Sequence, residues 1–556
     1  MPDLNPLKKV SDAVTGVATG LRSGMDGAAT AVAAEAPAAG RDVVDLWVEL
    51  LKIGTGASEV APDRGDKRFS DPTWQTNPAY RAIAQGYLAG TRAVDKLTDR
   101  LEEKDYRHAQ AVKFVSGIVT SALAPTNYLL GNPAALKRAF ETGGKSLVEG
   151  GKNWIDDLVH NGGMPSMVRK DAFTVGVDLA VTPGAVVTRD PVAELLQYTP
   201  TTAQVHEVPT IVVPPPIGRY YFLDMAPGRS FVEYAVSQGL QMFLVSWRNP
   251  DKEHADWGID NYVERLISAI DEVREITGSQ KVNLVGFCAG GILEAITLNR
   301  LADLDKDVVA NGSFAVTLLD WAGQIPMAAF GQGPTMALAG AASHRQGVFQ
   351  ARSMASAFTW LRPNDLVWNY WVNNYLMGQD PPAFDILAWN ADGTRLPAQL
   401  HKQFLDIFHT NPLASSCARE FAGSPFDAAT INVPVFVQGA ITDHLTPWKG
   451  TYRTTQLVGS DDVTYVLSNA GHIASLVNPP TNPKASYFVG TDAGALDAEE
   501  WQAGSTKKMG SWWTEWVEWS KPRSGDLKDA PAELGDGAHP ELAEAPGFYV
   551  RDLVPA

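Results

Sequence analysis

The chain has 556 residues, of which 45% are hydrophobic and 20% charged, and its formal net charge is −17. This length exceeds what one compact core normally holds, so we expect two separately packed regions. The negative charge argues against binding of nucleic acid or of anionic membrane surfaces. No stretch reaches the roughly 20 apolar residues of a membrane helix, which argues against a transmembrane segment.

Residues 1–40 form a low-complexity stretch that includes "GAATAVAAEAPAAG" and is predicted to be mobile, since small side chains bury little area. Charged residues at positions 12, 22 and 26 interrupt any signal-peptide core, so we expect no export. Only two cysteines occur, Cys288 and Cys417, which argues against a disulfide framework. We therefore expect a cytoplasmic protein with two free thiols.

Residues 41–165 are predicted to form an all-α domain. In "DVVDLWVELLKIG" the apolar side chains lie on one broad helical stripe that ends at Gly54. The segment "YRAIAQGYLAGTRAVDKL" has the same type of spacing.

Residues 166–556 are predicted to form an α/β domain. Short β-branched runs such as "TIVVPPP", "MFLVSW", "VNLVGFC" and "VPVFVQG" alternate with helical segments, as in a mainly parallel sheet covered on both faces. Residues 321–430 exceed an ordinary crossover between strands, so we predict an inserted cap over the carboxyl edge of the sheet. Near the C-terminus, the tryptophans of "GSWWTEWVEW" are predicted to pack on one helical face.

Residues 286–290, "GFCAG", match the G-x-nucleophile-x-G turn between a strand and a helix, with Cys288 as the nucleophile. Both flanking positions are glycine, as a tight turn requires. The helix that follows points its positive end at the sulfur and favours the thiolate. The alternative is a small hydrophobic residue in a glycine-rich turn. Cys417, in "NPLASSCARE", has no such motif around it and is interpreted as structural.

An acid and a histidine follow the nucleophile in the order that this type of site requires, each after a predicted strand. Asp443 follows "VPVFVQGAIT", and His472 follows "VTYVLSNAG". A histidine there can take a proton from the thiol, while the carboxylate orients its ring. His444, beside the aspartate, is the rival for the histidine role, and we interpret it as a neighbour that lines the pocket.

An oxyanion that forms next to the sulfur needs two backbone donors. The N–H of Ala289, directly after the nucleophile, is predicted to be the first. Three prolines follow the strand "TIVV" and have no N–H, so Ile217 is the first candidate for the second donor.

With "PPPIGRYYFLD", "SWRNP", "GFCAGG", "ITDHLTPW" and "SNAGHIASLVNPP" in this order, the chain resembles the polyhydroxyalkanoate synthases of the stand-alone, homodimeric type. "DKRFSDPTWQTNP" and "WNADGTRLPAQLH" are further matches, and the resemblance extends from about residue 40 onward. It implies an α/β-hydrolase fold with a large cap insertion, preceded by an all-α N-terminal domain.

The resemblance also implies polymerisation of (R)-3-hydroxyacyl-CoA into a polyester with release of CoA. Cys288 resembles the family nucleophile that carries the chain as a thioester, and His472 resembles the general base. Asp443 matches an aspartate with two proposed roles, to orient that histidine or to activate the 3-hydroxyl of the monomer. Both roles stay open at this point. Gly218 departs from the family pattern, since many members have asparagine there.

Implied partners are the acyl-CoA substrate, the growing polyester, the granule surface and a second copy of the chain. We expect no metal and no cofactor, because the CoA thioester is itself the substrate, and a cytoplasmic location at polyester granules. "GFCAGG" is similar to forms that use short monomers and "WNADGTRLPAQLH" to forms that use medium-length ones, so monomer length is left open. Arg395 and His401 are interpreted as solvated cap residues, and the alternatives are contact with the CoA phosphates or a place in the lining of the entrance.

A cysteine-type thioesterase or polyester depolymerase of the same fold is the alternative function. A catalytically inactive granule-coat protein is the third hypothesis. A cysteine favours transfer from CoA to a hydroxyl group, since its acyl thioester is as activated as the CoA ester, whereas a serine ester would be no more activated than the polymer.

Overall fold

The computed structural model describes residues 36–104, 106–322 and 333–552, which form two compact units. The first unit contains residues 36–172, 333–336 and 354–387 of this described chain. The second contains residues 173–322, 337–353 and 388–552. Most of the low-complexity stretch predicted at 1–40 lies outside the described residues.

Helices make up the regular structure of the first unit before residue 172, which confirms the predicted helical N-terminal region. They are α1 Ala36–Thr55, α2 Thr73–Thr76, α3 Pro78–Lys104, α4 Tyr106–Ala122, α5 Pro133–Glu141 and α6 Lys145–His160. Phe69, Trp74, Ala84 and Leu88 form a buried cluster, in which the rings of Phe69 and Trp74 meet edge to face. Burial of such aromatic side chains, rather than helix propensity, stabilises these helices against one another.

The second unit contains an 11-stranded sheet. Its strands are β1 Gly184–Arg189, β2 Ala193–Tyr198, β3 Thr210–Val213, β4 Met242–Trp247, β5 Val282–Phe287, β6 Val309–Ala315, β7 Val435–Ala440, β8 Val463–Ser468, β9 Ser486–Val489, β10 Thr506–Met509 and β11 Ala543–Glu544. The spatial order is β10-β9-β8-β7-β6-β5-β3-β4-β2-β1-β11. The six strands from β8 to β4 in that order are parallel, and the outer pairs on both sides are antiparallel.

Further helices lie between and after the strands in the described residues beyond 172. They are α7 Phe231–Ser237, α8 Ile259–Thr277, α9 Ala289–Asp303, α10 Gly333–Gln346, α11 Ala351–Leu361, α12 Asp385–Ala391, α13 Ala398–Thr410, α14 Trp448–Leu457, α15 His472–Leu476, α16 Ala498–Gly504 and α17 Trp512–Ser520. Strands β4, β5 and β7 are buried along their whole length, as expected where helices cover both faces of a parallel sheet. The predicted sheet type is therefore confirmed.

The segment predicted as a cap, 321–430, is divided between the two units. Residues 354–387 belong to the first unit, where Trp368 Nε1 donates to Ser121 Oγ (3.1 Å) and the Tyr375 hydroxyl donates to Asp157 Oδ2 (2.7 Å). Residues 388–430, which include α13, belong to the second unit.

The tryptophans of α17 are all buried, which confirms that they pack rather than face solvent. The ring of Trp516 lies 4.9 Å from the ring of Phe231, and its Nε1 donates to Ser313 Oγ on β6 (3.1 Å). This helix therefore fixes the sheet from one face through both packing and a hydrogen bond.

Trp516→Ala is expected to lower the free energy of unfolding by about 3–5 kcal/mol, because it leaves a large cavity against the sheet. Urea unfolding followed by circular dichroism measures the change. Glu518→Ala, at an exposed position of the same helix, is the control and should change it by less than about 0.5 kcal/mol. Equal effects of the two variants would contradict this role for α17.

Candidate functional site

Cys288 occupies a strained turn between β5 and α9. Its backbone has φ 53° and ψ −121°, a conformation that costs a non-glycine residue about 1–3 kcal/mol. Its N–H donates to Ala315 O (2.9 Å), and its carbonyl accepts from Thr317 Oγ1 (3.0 Å) and from Gly291 N (3.0 Å). These bonds to β6 and to the residues after it hold the turn, which leaves the half-buried thiol at the carboxyl end of β5.

The glycines on either side of the cysteine are required by close backbone approach. A Cβ at Gly290 would lie 2.1 Å from Val213 O on β3, and one at Gly286 would lie 2.5 Å from the Gly291 Cα. Real Cβ atoms do not approach backbone this closely, so any larger residue would displace α9 from the sheet.

A buried carboxyl group lies under this turn and was missed from the sequence. Glu294 on α9 is fully buried, and its Oε1 accepts from Ser313 N (3.2 Å). Its side chain occupies the space that Gly286 and Gly312 leave on β5 and β6. Burial raises its pKa well above the usual range, because the charged form would lose its solvation there.

Asp443 and His472 form a buried hydrogen-bonded pair. Asp443 Oδ2 lies 2.7 Å from His472 Nδ1, and the two residues are 7% and 5% exposed. Asp443 Oδ1 accepts from the backbone N–H groups of Leu445 (2.8 Å) and Thr446 (2.9 Å), and Thr446 Oγ1 donates to Oδ2 (2.7 Å). The turn after β7 therefore fixes the carboxylate before it meets the ring.

Electrostatics favour a charged histidine. Burial opposes the charge on His472, but the charges of Asp443 and Cys288 and the hydrogen bonds to both raise its pKa to about 10. Burial likewise opposes the charge on Asp443, and the histidine and the hydrogen bonds from Thr446 outweigh it, so that the pKa of this carboxyl lies below its usual value. At neutral pH the site can therefore hold an imidazolium beside the Asp443 carboxylate.

The three candidate side chains lie at one edge of the sheet. Cys288 follows β5, Asp443 lies three residues after β7 and His472 begins α15 four residues after β8. Since β5, β7 and β8 run parallel with β6 between β5 and β7, their carboxyl ends share that edge. His444, the rival for the histidine role, is half-buried, and the Nδ1 that bonds Asp443 belongs to His472.

The two candidate oxyanion donors follow neighbouring strands: Ile217 comes after β3, and Ala289 comes after β5. Ala289 is the first residue of α9, so its N–H has no acceptor within the helix. Ile217 lies in the turn after β3 and is half-buried. Its neighbour Gly218 pairs with Gly393 as an isolated antiparallel bridge. A Cβ at Gly218 would lie 3.4 Å from the Trp389 ring, at about van der Waals contact.

Arg219 holds the turn that carries Ile217. Its side chain, 5% exposed, donates to both oxygens of Asp552 (2.6 and 3.0 Å) and to Tyr549 O (3.1 Å). Its carbonyl accepts from Trp389 Nε1 (2.7 Å). Sequence reasoning missed this network, because its members are separated by up to 333 residues and show no local pattern.

Comparison with known proteins gives the family. Residues 65–235 match the family described as "Poly-beta-hydroxybutyrate polymerase (PhaC) N-terminus", and residues 223–479 match "alpha/beta hydrolase fold". Poly(3-hydroxyalkanoate) polymerase 1 of Ectopseudomonas oleovorans is 43% identical over 92% of this chain and 91% of its own. The chain belongs to the poly(3-hydroxyalkanoate) polymerase family.

Another polymerase of this family, the "Poly(3-hydroxyalkanoate) polymerase subunit PhaC" of Cupriavidus necator, is 37% identical over 92% of this chain and 87% of its own. The solved structure of a monoacylglycerol lipase from Paleococcus ferrophilus aligns with 58% of this chain and 98% of its own, at 16% identity and a TM-score of 0.32. The polymerase match and the α/β-hydrolase match confirm the predicted family and fold class.

Cys417, Arg395 and His401 lie outside the Asp443–His472 pair. Cys417 is exposed in a turn at φ 55°, and its sulfur lies 3.6 Å from Ser416 Oγ. Arg395 Nε donates to Asn249 Oδ1 (3.3 Å). The interpretation of His401 as a solvated surface residue is wrong, because it is buried on the inner face of α13.

The described part of the chain contains neither a candidate membrane span nor a candidate metal cluster. In residues 36–104, 106–322 and 333–552, no helix is long and apolar enough to cross a membrane. Over the same ranges, no group of three or more His, Cys, Asp or Glu side chains is arranged to hold a metal ion.

His472→Ala is expected to slow alkylation of Cys288 by iodoacetamide at pH 7 by at least about tenfold, because the thiolate loses its imidazolium partner. Mass spectrometry of the labelled peptides measures the rate. The exposed Cys417 reports general reactivity in the same sample and should not change. An unchanged rate at Cys288 would contradict the ion pair.

Proposed function

We propose that this chain polymerises (R)-3-hydroxyacyl-CoA into polyhydroxyalkanoate and releases CoA, with Cys288 as the residue that carries the acyl group. The observation that carries this proposal is the cysteine turn beside the buried Asp443–His472 pair, in a member of the polymerase family. An acyltransferase needs a nucleophile, a group that moves protons and donors for the oxyanion, and the site supplies candidates for each.

In the first step, the Cys288 thiolate attacks the carbonyl carbon of the CoA thioester. A bond forms between that carbon and Sγ, and the bond from the carbon to the CoA sulfur breaks. The N–H groups of Ala289 and Ile217 stabilise the oxyanion in between. The His472 imidazolium gives its proton to the departing CoA sulfur, which leaves an acyl-cysteine and a neutral histidine.

In the second step, the 3-hydroxyl of another hydroxyacyl group attacks the acyl-cysteine. His472 accepts the hydroxyl proton, an ester bond forms, and Cys288 leaves as a thiolate. The starting ion pair is thereby restored. Exchange between two thioesters is nearly neutral in energy and ester formation is downhill, so the sulfur suits this sequence better than a serine oxygen would.

The surroundings of Asp443 favour the orienting role over activation of the monomer hydroxyl. A carboxylate has about four acceptor positions. Two backbone N–H groups occupy Oδ1, while His472 and the Thr446 hydroxyl occupy Oδ2. A substrate hydroxyl would have to displace one of these partners. We therefore assign the proton transfers to His472.

Granule association and a homodimer follow from the family resemblance and stay predictions.

Cys288→Ala is expected to lower CoA release from (R)-3-hydroxybutyryl-CoA by about 1,000-fold or more, because removal of the nucleophile ends covalent catalysis. Thiol titration measures CoA, and turbidity measures insoluble polymer. Cys417→Ala is the matched control and should behave as the unmodified chain. Formation of soluble 3-hydroxybutyrate in amounts equal to CoA, with no polymer, would instead show a thioesterase. An unchanged Cys288→Ala variant would contradict both enzymes.

Asp443→Asn is expected to move the alkaline limit of CoA release to lower pH. With Asp443 present, the pKa of His472 is raised to about 10, so the imidazolium that protonates CoA persists until the pH passes that value. Loss of the carboxylate charge lowers this pKa, and the imidazolium is then lost at a lower pH. Single-turnover CoA release from pH 6 to 10 measures the limit. Asp461→Asn, at an exposed position, is the control, and coincident profiles would contradict the coupling.

A further inference from the structure

Helix α13 (Ala398–Thr410) is attached at both of its ends to connections that follow strands of the sheet. At its start, Gln399 N donates to Ala255 O (3.0 Å) and Leu400 N donates to Trp257 O (3.1 Å), both in the connection after β4. Immediately after its end, Asn411 accepts from the backbone N–H of Trp321, in the connection after β6 (2.7 Å). The helix is thus attached over two strands that are not neighbours.

The strands between those two attachments carry the candidate site. The order β4-β3-β5-β6 places three strand spacings, about 14 Å, between the attachments. A 13-residue helix is about 20 Å long, which is long enough to span the carboxyl ends of β3 and β5. Those ends lead to Ile217 and Cys288. The buried face of α13, which includes His401, is thus a candidate wall for an acyl group on Cys288.

The segment that leads into α13 begins at the oxyanion turn. Gly393 pairs with Gly218, and the Thr394 hydroxyl lies 3.5 Å from Pro216 O. Leu396–Pro397 then pairs with Val348–Phe349. The first turn of α13 therefore follows the oxyanion turn by only a few residues.

His401, in that first turn, is buried with an unused polar atom. It is 7% exposed, and its ring stacks on Phe349 with centroids 4.1 Å apart and planes 10° apart. Its Nδ1 is buried and has no hydrogen-bond partner among the described residues. A buried polar atom without a hydrogen bond destabilises the structure, so a partner in the working enzyme would be favourable.

The chemistry of that partner is restricted by the surroundings of His401. Burial lowers its pKa to about 4, so the ring is neutral at physiological pH and does not attract the phosphates of CoA. The other buried residues of the helix are all apolar, which suits an aliphatic chain: Ala398, Leu400, Phe404 and Ile407. The group that fits a neutral nitrogen among apolar side chains is an uncharged hydroxyl or carbonyl on such a chain. The acyl carbonyl is already served by the two oxyanion donors.

We infer that His401 Nδ1 hydrogen-bonds the 3-hydroxyl of the acyl group at Cys288 and thereby selects 3-hydroxylated over plain acyl chains. This inference rests on the proposed function. His401 is a specificity residue in this scheme, since it takes no part in the bond-making steps.

The test compares acylation by (R)-3-hydroxybutyryl-CoA with acylation by butyryl-CoA, measured as the first equivalent of CoA released. His401→Phe retains an aromatic ring against Phe349 and removes the nitrogen. It is expected to lower the ratio of the two rates by about tenfold or more, through loss on the hydroxylated substrate alone. The rate with butyryl-CoA should stay within about twofold.

Three further variants sharpen the comparison. His401→Leu removes the nitrogen in a smaller side chain and gives the same ratio if the phenylalanine variant does not fold. His401→Asn presents an amide near the Nδ1 position and should restore part of the preference. His409→Phe makes the same exchange at an exposed position of α13 and should leave the ratio unchanged.

The inference is overturned if the folded His401 variants keep the preference of the unmodified chain, or if both substrates slow equally, which would indicate packing alone. Failure of the proposed function has a different signature. In that case the unmodified chain would form no acyl-cysteine with the hydroxylated substrate, or would turn it over to free acid without polymer.

Discussion

The strained turn at Cys288 is the constraint on which the rest of the site depends. A cysteine at positive φ persists only because β6 and the residues after it bind both ends of its peptide, through Ala315 and Thr317. The two flanking glycines allow α9 to approach β3 and β5 closely enough for this. The result is a thiol at the carboxyl edge of the sheet, next to the first N–H of a helix, with a fully buried carboxyl group beneath it.

The histidine and aspartate reach this thiol from two other parallel strands, and the sheet rather than the loops sets their separation. The loops contribute orientation: the turn after β7 satisfies one carboxylate oxygen with two N–H groups, which leaves the other for His472 and Thr446. Precision in such sites comes from rigid elements that carry side chains with their own supporting hydrogen bonds.

Much of this arrangement could be predicted from the sequence, because its determinants are local. Glycines two positions before and after Cys288 indicate a tight turn. β-Branched runs before Asp443 and His472 indicate the strands that these two residues follow. The position of Ile217 follows from three prolines that have no N–H. The same reasoning could not find Arg219 and Asp552, whose pairing joins distant segments, or Glu294, which resembles any charged residue on a helix. It misjudged His401 for a related reason, since a polar residue in an apparent cap segment gives no sign of which helical face is covered.

The division of the inserted segment has a consequence for dissecting the protein. Because Met354–Leu387 belongs to the helical unit, the polypeptide leaves the α/β unit and returns to it. A cut near residue 172 therefore does not release an intact fragment. It deprives Tyr375 and Trp368 of Asp157 and Ser121, and the severed piece keeps apolar surface that its own residues no longer cover. The boundary between the units is a property of three-dimensional packing, and no single peptide bond marks it.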